Sequence, residues 1–148
     1  MGVLRVLLAF VISAIVLTLL AVIAQSIFVI RGLVEVGAPF ELMPSLSMIA
    51  ADIVGLGPVY GVIIAIGLAV AFLVAWLVSL MFRALRVPIY AVAGAVCVMV
   101  VLLLMQEVFF GVQLIAGARS TAGFVAQMLA GLLAGYVFAR LSARPESG

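Results

Sequence analysis

Four long apolar runs, separated by stretches that contain polar residues, glycine and proline, organise this chain of 148 residues. A transmembrane helix needs about 20 mostly apolar residues, because each residue advances the helix by about 1.5 Å and the hydrocarbon core is about 30 Å thick. The runs therefore predict four membrane spans, over residues 6–30, 59–82, 88–107 and 121–139. We expect an all-α membrane protein whose spans form one four-helix transmembrane bundle.

The composition excludes a soluble globular protein. Hydrophobic residues make up 70% of the chain and charged residues 8%, whereas roughly a quarter of the residues in a soluble domain are charged. A soluble core could not hide so much apolar surface, but a bilayer can. The length allows one transmembrane domain, covering residues 1–148.

The first apolar run has an alternative interpretation as a secretory signal peptide. Val22, Ile23 and Ala24 resemble a small-residue cleavage site before Gln25. However, the apolar core of a signal peptide has about 7 to 15 residues, and this run is longer and continues through Ile30. An uncleaved first span is therefore favoured.

The only long connection, residues 31–58, contains helix breakers such as Pro39 and Pro44. Residues 45–54, closed by Gly55, are expected to form a short helix capped by Ser45 or Ser47. About ten residues cannot cross a bilayer, so this helix is placed flat on the membrane surface or over the mouth of the bundle. An interfacial connector is favoured over a lid or a docking site for a partner.

The second and third spans are expected to be antiparallel neighbours, because the turn from Arg83 to Pro88 between them is tight. Tyr60 and Trp76, near the two ends of the second span, suit anchors at the level of the lipid headgroups. A continuous helix over residues 89–115 would be about 40 Å long, more than the membrane core needs. It is therefore expected to project past the membrane or to break near Gly111.

The basic residues, all of them arginine, predict the orientation. With the N-terminus inside, five arginines are cytoplasmic and two face out, as the positive-inside rule requires. The five are Arg5, Arg83, Arg86, Arg140 and Arg144, and the two are Arg31 and Arg119. Both termini are therefore expected in the cytoplasm, with the long loop outside and a short polar tail over residues 141–148 inside.

Small residues at four-residue spacing are expected to mediate helix packing. In lipid no hydrophobic force draws helices together, so close backbone approach along such stripes is what allows them to associate. The candidate packing residues lie on the second and fourth spans: Gly61, Ala65, Gly67, Ala71, Gly123, Gly131 and Gly135.

Polar residues cluster in the outer third of the predicted spans. The candidate outer polar cluster consists of Gln25, Gln106, Glu107, Arg119 and Gln127. One interpretation is an outward-facing pocket in which Glu107 and Arg119 form an ion pair or contact a ligand. The favoured interpretation places Glu107 and Arg119 in the headgroup region, with Gln25 and Gln127 forming hydrogen bonds between helices.

No catalytic, cofactor or metal site is expected. Histidine is absent and Cys97 is the only cysteine, so neither a cysteine–histidine metal site nor an internal disulfide can form. The chain has no phosphate-binding loop, no nucleophile elbow and no acidic residue in the middle or the cytoplasmic half of a span. The dispersed arginines do not form a nucleic-acid surface.

The leading functional hypothesis is a non-enzymatic protein of the bacterial inner (plasma) membrane that acts through helix packing. It would serve as an accessory or assembly subunit, or form a homo-oligomer, with the lipid bilayer and another membrane protein or itself as partners. The alternative is a small transporter or channel, or a membrane subunit of one, that uses Gln25, Glu107, Arg119 and Gln127.

Overall fold

The computed structural model describes residues 2–108, 110–111 and 116–143, without the side chains of residues 116–117. Five α-helices account for most of this part of the chain. They are α1 (Gly2–Glu35), α2 (Leu42–Gly55), α3 (Gly57–Met81), α4 (Arg86–Val108) and α5 (Thr121–Ser142). Short 3-10 helices precede α4 (Arg83–Leu85) and α5 (Ala116–Arg119).

All the helices except α2 are long and apolar enough to cross a membrane, which makes this a multi-pass membrane protein by length and composition. Each of these four helices packs against two others, in the cyclic order α1, α5, α4, α3. The interior of this bundle is mainly apolar, with fully buried side chains such as Leu17, Ile64, Leu68 and Val98. Many large hydrophobic side chains of these helices are exposed on the outside of the bundle, as expected for helices surrounded by lipid.

Helix α1 continues five residues beyond the predicted span. It ends at a Schellman motif, in which Ala38 N donates to Leu33 O and Gly37 N donates to Val34 O, both at 3.0 Å. Gly37 has a φ of 96°, a left-handed conformation that glycine adopts without steric cost. Arg31 does not stop the helix, because a charge ends a membrane span but does not interrupt backbone hydrogen bonding.

Helix α4 ends at Val108, in agreement with the expected break near Gly111. The end is again a Schellman motif, with Gly111 N donating to Gln106 O at 2.8 Å and Phe110 N to Glu107 O at 3.3 Å. Phe110 has a φ of 56° and Gly111 a φ of 84°. Residues 112–115 lie outside the described residues.

The short helix α2 begins at Leu42, three residues earlier than predicted, and the predicted serine caps are wrong. Because of the earlier start, Ser45 and Ser47 lie inside the first turns and do not cap the helix. Their hydroxyls donate back to the carbonyls of Glu41 at 2.7 Å and Pro44 at 3.2 Å. Helix α2 packs against α1 and α3, and none of its residues is buried.

Tyr60 is not a headgroup anchor, because its side chain lies in the bundle core with 3% exposure. It shares one face of α3 with Ile64, Leu68 and Phe72, at four-residue spacing, and all four are buried. Trp76 lies on the outside and is 51% exposed, so it is free to meet lipid.

Candidate functional site

The glycine stripe of α5 packs inside the chain, against α4. A Cβ atom added at Gly131 would collide with the carbonyl oxygen of Gly94, and one added at Gly135 would collide with that of Tyr90. A Cβ at Gly94 would in turn collide with Gly131 O. The backbones of α4 and α5 are therefore in direct contact, and only glycine fits at these positions.

Gly123, the first member of the same stripe, lies in the first turn of α5. It is buried, and its backbone N–H donates to the hydroxyl of Ser120 at 3.0 Å. Ser120 is thus the N-cap of α5, which satisfies one of the free N–H groups at this helix end.

The small residues of α3 are packed less tightly than those of α5. A Cβ at Gly61 would lie 3.3 Å from Thr18 Oγ1 on α1, and one at Gly67 would lie 2.9 Å from Cys97 Sγ on α4. These neighbours are side chains, not backbone. Ala65 and Ala71 are only half-buried, so part of the small-residue surface of α3 stays on the outside of the bundle.

An open apolar groove of about 540 Å³ runs along the outside between α3 and α4. We call it the α3–α4 groove. Small residues of both helices line it, including Gly67, Ala71, Ala75, Ala93 and Cys97. Valines flank them, of which Val70, Val74 and Val92 are between 53% and 61% exposed.

Two members of the predicted outer polar cluster, Gln25 and Gln127, lie inside the bundle between α1 and α5. Gln127 on α5 is 1% exposed and donates from Nε2 to the carbonyl oxygen of Ala21 on α1, at 2.8 Å. Gln25, one helical turn beyond Ala21, is 6% exposed. The Oε1 atoms of both glutamines are buried without a hydrogen-bond partner, although a buried polar group normally has one.

The other three members of the predicted cluster lie nearer the surface. Gln106 is half-buried, and the side chains of Glu107 and Arg119 are exposed. The structure therefore separates the predicted cluster into two buried amides, one half-buried amide and two exposed charges. Among the described residues, no three histidine, cysteine, aspartate or glutamate side chains lie together as metal ligands would.

Two further buried oxygens also have no partner, the hydroxyls of Ser13 and Tyr60. From the sequence, Tyr60 was expected at the headgroup level and not in the bundle interior. Tyr60 could have been placed inside from its four-residue spacing to Ile64 and Leu68.

A hydrogen bond between α1 and α2 was not predicted either. The hydroxyl of Ser26, fully buried on α1, donates to Asp52 Oδ2 on α2 at 2.6 Å. It also lies 3.1 Å from the carbonyl oxygen of Val22, so one proton has two acceptors. No local pattern connects residues 26 positions apart in this way.

At the opposite end of the bundle, two arginines converge on the last turn of α5. Arg5 Nε donates to the carbonyl oxygen of Leu141, and Arg86 Nη2 donates to the hydroxyl of Ser142, both at 2.8 Å. The start of α1 and the end of α5 therefore lie at the same end of the bundle.

Aromatic side chains of four different helices meet next to these arginines. Phe72 stacks on Phe138 with ring centroids 4.3 Å apart, and Tyr90 contacts both rings at 5.6 and 5.0 Å. Phe10 of α1 meets Phe72 edge-on at 6.3 Å.

Comparison with known protein families, curated proteins and solved structures finds no match to this chain.

Proposed function

We propose that this chain is a non-enzymatic protein of a bacterial inner (plasma) membrane that acts through helix packing. In this proposal it serves as an accessory or assembly subunit, or forms a homo-oligomer. Its contact surface is the α3–α4 groove, which receives a transmembrane helix of another membrane protein or of a second copy. Both termini lie in the cytoplasm, as the distribution of the arginines favours.

The observation that carries the proposal is the difference between the two small-residue surfaces. The stripe on α5 is buried against α4, so it has no surface left for a second protein. In the α3–α4 groove, in contrast, Gly67, Ala71 and Ala93 stay partly accessible once the bundle has formed, whereas Ala75 and Cys97 are buried. The sequence suggested this role for the small-residue stripes of both α3 and α5, and we assign it to the α3–α4 groove alone.

The shape and the chemistry of the α3–α4 groove suit a helix. Helix association in lipid depends on van der Waals packing, which requires that backbones approach closely over small residues. The valines along the groove are stiff at χ1 in a helix, so they lose little side-chain freedom when a partner packs against them. A polar or charged partner would gain nothing there, since the residues that line the groove are apolar.

The test is to fill the groove without disturbing the bundle. Ala71 lines the groove and is half-buried, so Ala71→Leu adds bulk where the partner helix would pack. Ala122→Leu, at an exposed position on α5 away from the groove, is the matched control. In mild detergent we expect the wild type and Ala122→Leu to form the same complex, and Ala71→Leu to lose it while its helical content stays unchanged.

Light scattering and affinity purification separate the possible partners. A complex of identical chains identifies a homo-oligomer, and recovery of another membrane protein identifies an accessory subunit. If the wild type is a monomer without a partner, or if Ala71→Leu keeps its complex, the proposal is wrong.

A transporter, a channel or a membrane subunit of one is the second candidate, and the unpaired oxygens inside the bundle favour it. The Oε1 atoms of Gln25 and Gln127 are acceptors that a translocated polar solute could use. In this case Gln127→Leu, which roughly conserves volume, should abolish flux while the protein stays folded, and so should Glu107→Gln or Arg119→Gln. Normal flux in all three variants would exclude this candidate.

A further inference from the structure

A second groove opens on the outside of the bundle, between the first turns of α1 and the last turns of α3. It has a volume of about 570 Å³, and all four long helices contribute to its lining. Val6, Leu7 and Phe10 of α1 form one wall. We call it the α1–α3 groove.

The opposite wall and the floor of the α1–α3 groove are mainly aromatic. Trp76 and Phe72 of α3 face the groove, and Tyr90 and Phe138 lie beneath them. Phe72, Tyr90 and Phe138 form the aromatic cluster described above, in which each ring contacts the other two. The groove is thus a mainly apolar slot with aromatic side chains along it.

One end of the α1–α3 groove carries positive charge. Arg86 and Ser142 are part of its lining, and Arg5 directly precedes the wall residues Val6 and Leu7. The guanidinium of Arg86 is oriented by its hydrogen bond to Ser142 and by the ring of Tyr90, 5.6 Å away. Each guanidinium carries five N–H donors, of which the hydrogen bonds to Leu141 and Ser142 use one apiece.

No carboxylate in the described part of the chain lies near these arginines. Glu35 and Glu107 are at the other ends of α1 and α4, and Glu41 and Asp52 are next to or in α2. The arginine end also carries Arg83 and Arg140. Its charge is therefore positive and has no counterion among the described side chains.

We propose that the α1–α3 groove binds one anionic phospholipid, with an acyl chain against Phe10, Phe72 and Trp76 and the phosphate on Arg86 and Arg5. Basic pockets between transmembrane helices on the cytoplasmic side are known to hold anionic headgroups. A free phosphate would use the arginines alone and leave the apolar slot without an occupant. The proposal is independent of the function assigned to the α3–α4 groove, which lies between a different pair of helices.

The fluorescence of Trp76 can report lipid binding in the groove, because Trp76 is the only tryptophan of the chain and lines the groove. Bromine atoms on an acyl chain quench tryptophan fluorescence on contact. The protein is reconstituted in phosphatidylcholine vesicles that contain increasing fractions of brominated phosphatidylglycerol or brominated phosphatidylcholine. We expect the anionic lipid to quench Trp76 with an association constant about 25-fold higher, since each of the two arginines contributes a factor of about five near an anionic surface.

Substitutions at the arginine end test the headgroup contact. Arg86→Gln and Arg5→Gln should each lower the preference for the anionic lipid about fivefold. Arg83→Gln removes the same charge at the same end, but Arg83 does not line the groove, so this control should keep the preference. Arg86→Lys retains the charge and should retain most of the preference. This variant shows whether the loss in Arg86→Gln comes from the missing charge or from misfolding.

A substitution inside the slot tests the acyl chain. Ala69 is exposed and lines the groove, so Ala69→Leu fills it without entering the core. It should reduce quenching by brominated phosphatidylglycerol.

Four results would overturn the proposal: no preference in the wild type, an equal loss in Arg83→Gln, unchanged quenching in Ala69→Leu, or full competition by inorganic phosphate. Full competition by inorganic phosphate would identify a site for a free anion. An equal loss in Arg83→Gln would show that the anionic lipid is attracted by the general positive charge at this end of the bundle.

Discussion

Three glycines determine how closely α4 and α5 approach. At Gly94, Gly131 and Gly135 an added Cβ would meet backbone atoms of the other helix, which cannot rotate away as a side chain can. At Gly61 the nearest atoms belong to the side chain of Thr18. The same substitution should therefore have opposite effects at the two kinds of position.

We expect Gly135→Ala to destabilise the bundle by about 1 to 3 kcal/mol, as overpacking of a tight interface does. Gly61→Ala is the control and should be neutral or stabilising by up to about 1 kcal/mol, because alanine favours the helix over glycine. Unfolding by denaturing detergent measures both. Equal stabilities for the two variants would show that the backbones of α4 and α5 are not in contact.

The sequence predicted that Gly131 and Gly135 pack against a helix but not which helix, and it did not single out Gly94 for packing. A stripe at four-residue spacing is a local property of one helix and can be read directly from the chain. Its partner is a non-local property, because Gly94 lies 37 to 41 positions earlier. For the same reason the separation of buried Gln127 from exposed Glu107 was only partly predictable, as it depends on the rotation of each helix in the bundle.

Hydropathy determines which helices insert into the membrane. Other interactions determine where a helix ends and which helix it packs against. The sequence predicted four apolar helices of membrane-spanning length, since hydropathy is local. It placed the end of the first span at residue 30, although α1 continues until Gly37 permits a left-handed turn. Helix α2 was expected, but its hydrogen bond to Ser26 was not.

Helix α2 should be held in place largely by Asp52, because none of its residues is buried. Asp52→Leu removes the acceptor of the Ser26 hydroxyl, and a hydrogen bond to a charged group contributes about 1.5 to 3 kcal/mol. We therefore expect the amides of residues 42–55 to exchange hydrogen about tenfold faster or more.

Ser45→Ala is the control, since the hydroxyl of Ser45 bonds only to Glu41 O within the described structure and is exposed. Asp52→Asn keeps an acceptor oxygen and should exchange nearly like the wild type. If exchange in Asp52→Leu stays at the wild-type rate, α2 is held by apolar contacts alone.

In the whole molecule, the contact between Arg5 and Leu141 brings the start of α1 and the end of α5 to the same end of the bundle. Together with the positive-inside rule, this predicts that both face the cytoplasm. In sealed cells a membrane-impermeant thiol reagent should label Val36→Cys, which is exposed beyond the far end of α1. It should not label Gly2→Cys or Ala143→Cys, in a background where Cys97 is replaced by serine.

Labelling of Gly2→Cys but not of Val36→Cys would reverse the orientation and place the arginine end outside. Labelling at only one of residues 2 and 143 would contradict the four-span bundle itself.

Site-specific photo-crosslinking in native membranes tests whether the α3–α4 groove holds another transmembrane helix. A photoreactive amino acid is placed at Val74 or Val92, which are exposed beside the groove, and at Leu133, which is similarly exposed on α5 away from it. Both groove positions should give the same discrete crosslinked protein, a dimer of this chain or a complex with one other membrane protein, and Leu133 should give none. No protein crosslink from the groove, or an equal pattern from all three positions, would contradict this function.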